Sequence, residues 1–520
     1  MATYVEDEGL QSRWNAEEAS RCTDALALRA YTSRLLGSDS TLVLHGGGNT
    51  SIKLRDVALA GGEDILFVKG SGSDLALVAP SDFTPLRLRD VTALIERDEL
   101  DSNEMYALLD SMVVRHPSPK PSVETLLHAA LPSRHVEHTH ADPVLAISNT
   151  EHGEGILANV YGDLAPTVPY RHSGFELAKA CAEVYRAQAT ERTIGLILRF
   201  HGAVAFADDA REAYENMIRL AALAEDYLAS RNAWALPVDP VRGLPPDRLA
   251  IARLRSAISS AAGFPLVMQV MRDAFALHFA SRPDVIELCS QGPATPQHAI
   301  FTRRVPLVGD AVEVEAYVSA YRDYLAAALT ASDAAQLDPT PRIVVLPGIG
   351  ICALGVTAEY ARIAAEIFRH DMEIMVRAQA HDHYRSAPAA SIARAELEYG
   401  GFETRERSRS ESDKPLLGQV AVVTSAATKR EPEHVRSLLA RGAAVAIAGR
   451  PAVLPAAVGD TLTVFPLEGD TAPAWEAVLD EIVLACGGID LLTTAPEETQ
   501  FVERCAPLLA LSPAGGSTLG

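Results

Sequence analysis

His138-Thr139-His140, with Ser122-Val123-Glu124 before it and His201-Gly202 well after it, offers three imidazoles and a carboxylate to one divalent cation. Neutral imidazole is a good zinc ligand, and a catalytic zinc site differs from a structural one in keeping a coordination position open for substrate or water. Successive side chains of a strand face opposite ways, so along 134–140 His138 and His140 point together and can hold one ion from a rigid edge. His201 closes the apolar run from Ile194 to Leu198, read as a buried strand, and Gly202 lets the backbone turn closely there. The ordinary alternative for His-x-His is a pair of half-buried histidines, and the surrounding residues weigh against it. Ser122, Glu124 and His128 read as a capped helix start, Ser122 accepting from free amides while Glu124 and His128 share a face. His128 itself reads as a satisfied core histidine or as support behind the ligands.

Two glycine-rich blocks precede this set: His45-Gly46-Gly47-Gly48-Asn49-Thr50-Ser51 and Val68-Lys69-Gly70-Ser71-Gly72-Ser73-Asp74. Small residues let backbone amides approach phosphate oxygens, with Asn49, Ser51 and Ser71 adding neutral hydrogen bonds and Lys69 a positive charge. A lysine at a strand end is more often simply solvated, and a Gly-Gly-Gly-Asn stretch is as often only a turn. The Gly-x-x-x-x-Gly-Lys-Ser/Thr spacing of a nucleotide loop is missing from the sequence.

Taken in order, the blocks at 45–51, 68–74, 122–124, 138–140 and 201–202 resemble the class II aldolase/adducin family. The wording at 44–51 and 68–72 is most similar to bacterial bifunctional proteins that fuse a rhamnulose-1-phosphate-type aldolase to a short-chain dehydrogenase. The aldolase resemblance spans residues 20 to 235, and a weaker fusion-family resemblance covers most of the rest. It implies a metal held by His138, His140 and His201, zinc or another divalent ion, and cleavage of a ketose 1-phosphate to dihydroxyacetone phosphate and an aldehyde. Asn49, Ser71, Gly72 and Ser122 match positions that contact substrate phosphate, and Glu124 matches the acid/base. A protonating tyrosine comes from a neighbouring subunit in relatives; Tyr161 is taken for it here, with Tyr170 as the other candidate. Aromatic packing under a loop is the rival role for both. By analogy the chain is a homo-oligomer, a fourfold tetramer in relatives. A sugar-phosphate epimerase or decarboxylase on the same metal, and a non-enzymatic scaffold like adducin's head domain, are the alternatives. Retention of three histidines and Glu124 argues against the scaffold.

Composition fits a cytoplasmic enzyme. With 520 residues the chain exceeds one ordinary core, and 48 % hydrophobic with 22 % charged residues is globular. A net charge of −22 disfavours nucleic acid as a partner. Six cysteines lie scattered without close pairs, so no disulfide framework or cysteine metal cluster is indicated. The acidic start is unlike a secretory signal, and no run of about 18 apolar residues suggests a membrane span.

These sites need elements to position them, and the fold class expected is α/β in three blocks. Residues 1–237 form the aldolase-like α/β/α domain, a mainly antiparallel sheet flanked by helices, opening on an amphipathic stretch from Glu17 to Leu36 and closing on a helix from about Asp208 to Ser230. Prolines between 237 and 246 end it. Residues 247–400 form a second α/β block. Its strand at 342–346, with Pro347-Gly348-Ile349-Gly350 and a helix from about Ala358 to Ala378, echoes the strand, His201-Gly202 turn and helix of the first, as an eroded repeat would, with Pro347 at the ligand position. His298, in the polar segment 292–298, reads as a loop histidine, with a site role as the alternative. After a charged, serine-rich linker at 404–412, residues 415–520 resemble a truncated short-chain dehydrogenase Rossmann domain, with strands at 417–424, 441–450 and 487–492. Where that family has its glycine-rich loop this chain reads Thr424-Ser425-Ala426-Ala427-Thr428-Lys429-Arg430-Glu431, and no Tyr-x-x-x-Lys pair follows, so NAD(P) is not expected. The apolar strands of this last block need a partner surface to cover them.

Overall fold

Runs of apolar residues buried on both faces build a seven-stranded sheet whose middle strand and a nearby turn carry the candidate ligands. The strands are β1 (Asn49–Asp56), β2 (Glu63–Lys69), β3 (Phe83–Arg87), β4 (His135–Thr139), β5 (Thr167–Val168), β6 (Gly195–Leu198) and β7 (Gly202–Ala207). Their order is β3-β2-β1-β4-β7-β6-β5, antiparallel except where β5 meets β6. The computed structural model describes all residues but 1–2, 5–8, 57–61, 239–242, 402, 404–406, 408–412, 431, 450–460, 468–470 and 520. Most of the expected linker, the boundary residues Asp239 and Pro240, and Glu431 therefore lie outside the described residues.

Helices cover both faces of this sheet. On one side α1 (Ala25–Gly37) starts where the Asp24 side chain accepts from the amide of Ala27 at 2.8 Å. On the other, α2 (Thr125–Ala130) sets Leu126 and Leu127 into a core with Val68, Val136 and Val204. After β4, α3 (Asp142–Ser148) is wholly buried, and after β7, α4 (Ala210–Ser230) is capped by Asp209. The result is the α/β/α arrangement expected. The chain divides into two compact units, and this first one comprises residues 4–236 together with 370–387.

The second unit takes 237–369 and 388–520, so the middle and last blocks share it. The middle block contributes α5 (Arg248–Ala262) and strands β8 (Val267–Met271), β9 (Leu307–Val308), β10 (Ile343–Leu346) and β11 (Gly350–Gly355), in the order β8-β11-β10-β9. The helix α6 (Ala358–His381) follows β11, and its residues from His370 on belong to the first unit. The last block contributes five parallel strands, β12 (Val420–Thr424), β13 (Ala444–Ala448), β14 (Leu462–Phe465), β15 (Leu491–Thr493) and β16 (Ser517–Leu519), ordered β14-β13-β12-β15-β16. That reversal of strand order is the doubly wound, Rossmann-like pattern.

The apolar strands of the last block do find cover. Val422, Ala446 and Leu479 pack in one core with Ile251, Leu254, Met268 and Leu354 of the middle block. Arg255 of α5, 2 % exposed, forks onto Asp490 at 3.2 and 2.6 Å and also donates to the carbonyls of Leu266 and Gly418. Asp490 in turn accepts from the Val420 amide at 2.7 Å and the Ser512 hydroxyl at 2.6 Å. At the crevice where such sheets bind ligands, no glycine turn follows β12: a helix runs directly over Ser425–Arg430. The Glu498 carboxylate sits there, accepting from the Thr424 hydroxyl at 2.5 Å and the Ala495 amide at 2.7 Å, a like charge to any pyrophosphate.

The middle block repeats the strand geometry of the first. In β6/β7, Leu198 pairs with Gly202, and in β10/β11, Leu346 pairs with Gly350. Both glycines have positive φ (148° and 136°), and a Cβ on either would stand about 2 Å from a carbonyl oxygen of the neighbouring strand end, 2.1 Å from Thr139 and 2.2 Å from Met271. This register corrects the sequence alignment of the two turns. Ile349, not Pro347, occupies the place of His201, and Val270 and Arg272 occupy those of His138 and His140. The four-residue spacing from Leu198 to Gly202 and from Leu346 to Gly350 is what sets the equivalence, and a proline cue two residues earlier obscured it. The segment 292–298 is a loop as read, and most of it, His298 included, is buried.

Candidate metal centre

Strand alternation delivers His138 and His140 to one face, and the tight β6–β7 turn delivers His201 to the same place. The ligand nitrogens of all three lie within 4.8 Å of one another, with ring centroids 4.8 to 5.1 Å apart. His138 is fully buried, His201 is 2 % and His140 8 % exposed. Gly202 makes the approach feasible, since any side chain there would collide with Thr139. Gly48, at φ 59°, similarly lets the first glycine-rich loop lie against the His138 carbonyl.

The protonation pattern suits a cation. His138 Nδ1 faces the carbonyl of Ala203 at 3.0 Å, so that nitrogen carries the proton and Nε2 presents its lone pair. Burial, chiefly, pushes this imidazole down to about 4 despite the opposing charge of Glu124, so it is neutral near pH 7. Glu124 stands at the mouth of α2, 3 % exposed, with Oε1 3.0 Å from His201 Nε2 and Oε2 3.4 Å from His138 Nε2. Burial alone would raise its carboxyl, but His138 and His201, with hydrogen bonds from His201 and Asn49, outweigh that and hold it well below the usual range. His138 Nε2 is buried without a hydrogen bond. An orphaned buried ring nitrogen beside two more imidazoles and a carboxylate fits a divalent metal.

The residues read as phosphate contacts divide into layers. Asn49 donates to Glu124 Oε2 at 2.6 Å and to Ser122 Oγ at 3.3 Å, so both adjoin the metal cluster. Ser71 and Gly72 lie on the exposed turn after β2. Ser51 is fully buried and bonds His128 Nδ1 at 2.8 Å. Lys69 is buried, not solvated: its ammonium donates to Gly46 O at 3.2 Å and Ser73 O at 2.5 Å, tying the two glycine-rich loops together. Burial pushes it down to about 8 against the opposing charges of Asp74, Glu124 and Asp82.

Tyr161 is placed elsewhere. Its hydroxyl donates to the Leu220 carbonyl of α4 at 2.9 Å and the residue is 3 % exposed, so its proton is committed to packing a helix. Tyr170 stacks edge-on with Phe200, 6.1 Å between centroids. Two supports went unread in the sequence. Arg29 and Glu137, both fully buried, pair on the face of β4 opposite the histidines. His370 pairs with Asp142 at 2.5 Å, just beyond His140. The alternation that aligned His138 with His140 implies that Glu137 faces α1, which was the available signal for the first; nothing local signals the second.

The residues of this centre lie inside a region that matches a known family model. Residues 27–228 match the Class II Aldolase and Adducin N-terminal domain, and residues 246–405 match the second domain of class II aldolases. An uncharacterized oxidoreductase, YuxG, of Bacillus subtilis (strain 168) is 28 % identical over 462 residues, 84 % of this chain, and the chain spans 66 % of that relative's length. The N-terminal class II aldolase domain of a conserved Thermoplasma acidophilum protein is 36 % identical, covering 42 % of this chain and 99 % of that one, with a TM-score of 0.38. The L-fuculose-1-phosphate aldolase of Thermus thermophilus is 21 % identical over 39 % of this chain and 95 % of that one, TM-score 0.26. With its five motif blocks inside the first match, the chain carries a class II aldolase and adducin domain at 27–228 and a class II aldolase second domain at 246–405.

Proposed function

We propose that the protein is a metal-dependent aldolase that cleaves a ketose 1-phosphate of the rhamnulose-1-phosphate type to dihydroxyacetone phosphate and an aldehyde. The observation that carries this reading is the convergence of three buried imidazoles on one point, with an ionised carboxylate between two of them. His138, His140 and His201 hold the ion, zinc or another divalent metal, which when bound polarises the substrate's oxygens and offsets the charge that develops on carbon–carbon cleavage. Asn49 and Ser122, with the amides of the turn at Ser71-Gly72, receive the phosphate, and Lys69 holds the two loops in register. Glu124 takes and returns the proton on the phosphate-bearing half of the substrate. Its lowered pKa keeps it ionised, and displacement from the histidines frees it to act as a base. The protonating group for the aldehyde half is not Tyr161. The middle block is read as an eroded copy of the metal domain, its ligand places filled by Val270, Arg272 and Ile349. The protein is read as cytoplasmic and homo-oligomeric; among the described residues no helix is long and apolar enough to cross a membrane.

A panel of ketose 1-phosphates assayed for dihydroxyacetone phosphate release, with and without chelator, tests the reading. Chelator-sensitive cleavage of at least one is expected. A metal-loaded protein that cleaves none, but epimerises or decarboxylates a sugar phosphate, would replace it.

A further inference from the structure

His128 was the histidine with no evident task. It is fully buried on α2, and both ring nitrogens are engaged: Nδ1 with Ser51 Oγ at 2.8 Å, Nε2 with Asn49 Oδ1. Asn49 continues the chain to Glu124 Oε2 at 2.6 Å and to Ser122 Oγ at 3.3 Å. The direction of every bond follows from chemistry at the far end. A carboxylate only accepts, so the amide nitrogen of Asn49 faces Glu124 and its oxygen faces His128. An amide oxygen also only accepts, so Nε2 of His128 carries the proton and Nδ1 accepts from the Ser51 hydroxyl. A neutral ring is required for this, and burial at this position favours it.

From this one-way chain, Ser51 to His128 to Asn49 to Glu124, we infer that His128 is a positioning residue. It latches the carboxamide of Asn49 so that both N–H groups point into the site, ready for an anionic oxygen when Glu124 moves away. An unlatched amide rotates about its terminal torsion and presents its oxygen to the anion, which repels it. Ser51 then serves the latch and does not touch substrate. The inference rests on the proposed phosphate subsite, though not on the reaction performed there.

The test compares the metal-loaded wild type with His128→Phe, which keeps ring volume and loses the donor, and His128→Gln, whose amide donates from the place of Nε2. Inorganic phosphate binding is measured by calorimetry, alongside metal content and thermal midpoint, and KM and kcat on any ketose 1-phosphate found to be cleaved. For His128→Phe, metal is retained while phosphate affinity falls about 10- to 100-fold and KM rises more than kcat falls; His128→Gln recovers most of the loss. Ser51→Ala, the milder variant should the phenylalanine fail to fold, weakens phosphate binding by about fivefold with its midpoint little changed. Unchanged phosphate affinity in His128→Phe or, if that variant does not fold, in Ser51→Ala, overturns the latch, as does a His128→Gln protein as impaired as His128→Phe. A wild type that holds metal but binds no phosphate also overturns it. Phosphate binding without aldol cleavage sinks the proposed reaction alone and leaves the latch standing.

Discussion

Asp490→Ala is the sharpest probe of why the last block is there. Asp490 is 1 % exposed and accepts four hydrogen bonds, two from Arg255, one from the Val420 amide and one from the Ser512 hydroxyl. Removing it strands the Arg255 guanidinium in a site with 2 % exposure, leaving only the Leu266 and Gly418 carbonyls as acceptors. Breaking one side of such a buried pair costs about 3–5 kcal/mol. For a unit of this size that lowers the melting midpoint by on the order of 10 °C. Because Ile251, Met268 and Leu354 share their core with Val422 and Leu479, the loss falls on both blocks at once. Hydrogen exchange resolved by peptide measures this: amides of 267–271 and 350–355 lose protection in step with those of 420–424. The double variant Arg255→Met with Asp490→Leu, which removes both charges, recovers most of the midpoint. Faster exchange confined to 420–519, with 350–355 unchanged, would refute the shared core.

Other perturbations have equally definite signs. Gly202→Ala forces a Cβ to 2.1 Å from the Thr139 oxygen at a φ of 148°, so the turn carrying His201 must shift; metal affinity is expected to fall at least tenfold, read by chelator competition. Burial raises Glu396 to about 7, opposed by Arg303 and by hydrogen bonds from Tyr321 and Tyr324. The folded state therefore holds a proton that the unfolded chain has released between its ordinary value of 4.5 and about 7, so this group's contribution to stability declines as pH rises through that window. Glu396→Gln removes the decline, and its urea midpoint should gain on the wild type progressively between pH 5 and 8. His370 behaves as a raised base: burial lowers it, but the charge and hydrogen bond of Asp142 win. Its stabilisation is complete below the unfolded value of 6.5 and is lost as pH rises through the higher folded value, so His370→Ala should destabilise the first unit more at pH 6 than at pH 9. Equal losses at both would remove Asp142 as the cause.

What could be read from the sequence was local and periodic. Period-two alternation along 134–140 was enough to place His138 beside His140, and the glycine after His201 announced the close turn that brings in the third ring. The strands at 195–198 and 420–424 showed themselves as unbroken apolar runs, because a strand covered on both faces has no polar side to display. Long-range pairings were silent. Nothing near Arg255 marks Asp490 as its partner across the sequence, and the same holds for Arg29 with Glu137 and His370 with Asp142. Lys69 was read as a charge for phosphate with solvation as the alternative, because a strand end is usually open, whereas here its ammonium is bonded to both glycine-rich loops. Tyr161 was singled out on its neighbours in sequence, yet the helix containing it turns its hydroxyl toward Leu220.

The claim on which the account turns is that His138, His140 and His201 bind one catalytic metal with Glu124 acting beside it. Metal stoichiometry by plasma mass spectrometry, with turnover measured on the same preparations, decides it across wild type, His138→Ala, His140→Ala, His201→Ala and Glu124→Gln. One divalent ion per chain in the wild type and in Glu124→Gln, its loss from each histidine variant, and turnover by the wild type alone are expected. Histidine variants that keep the wild-type metal content, or a Glu124→Gln protein that turns over as fast as wild type, would contradict it.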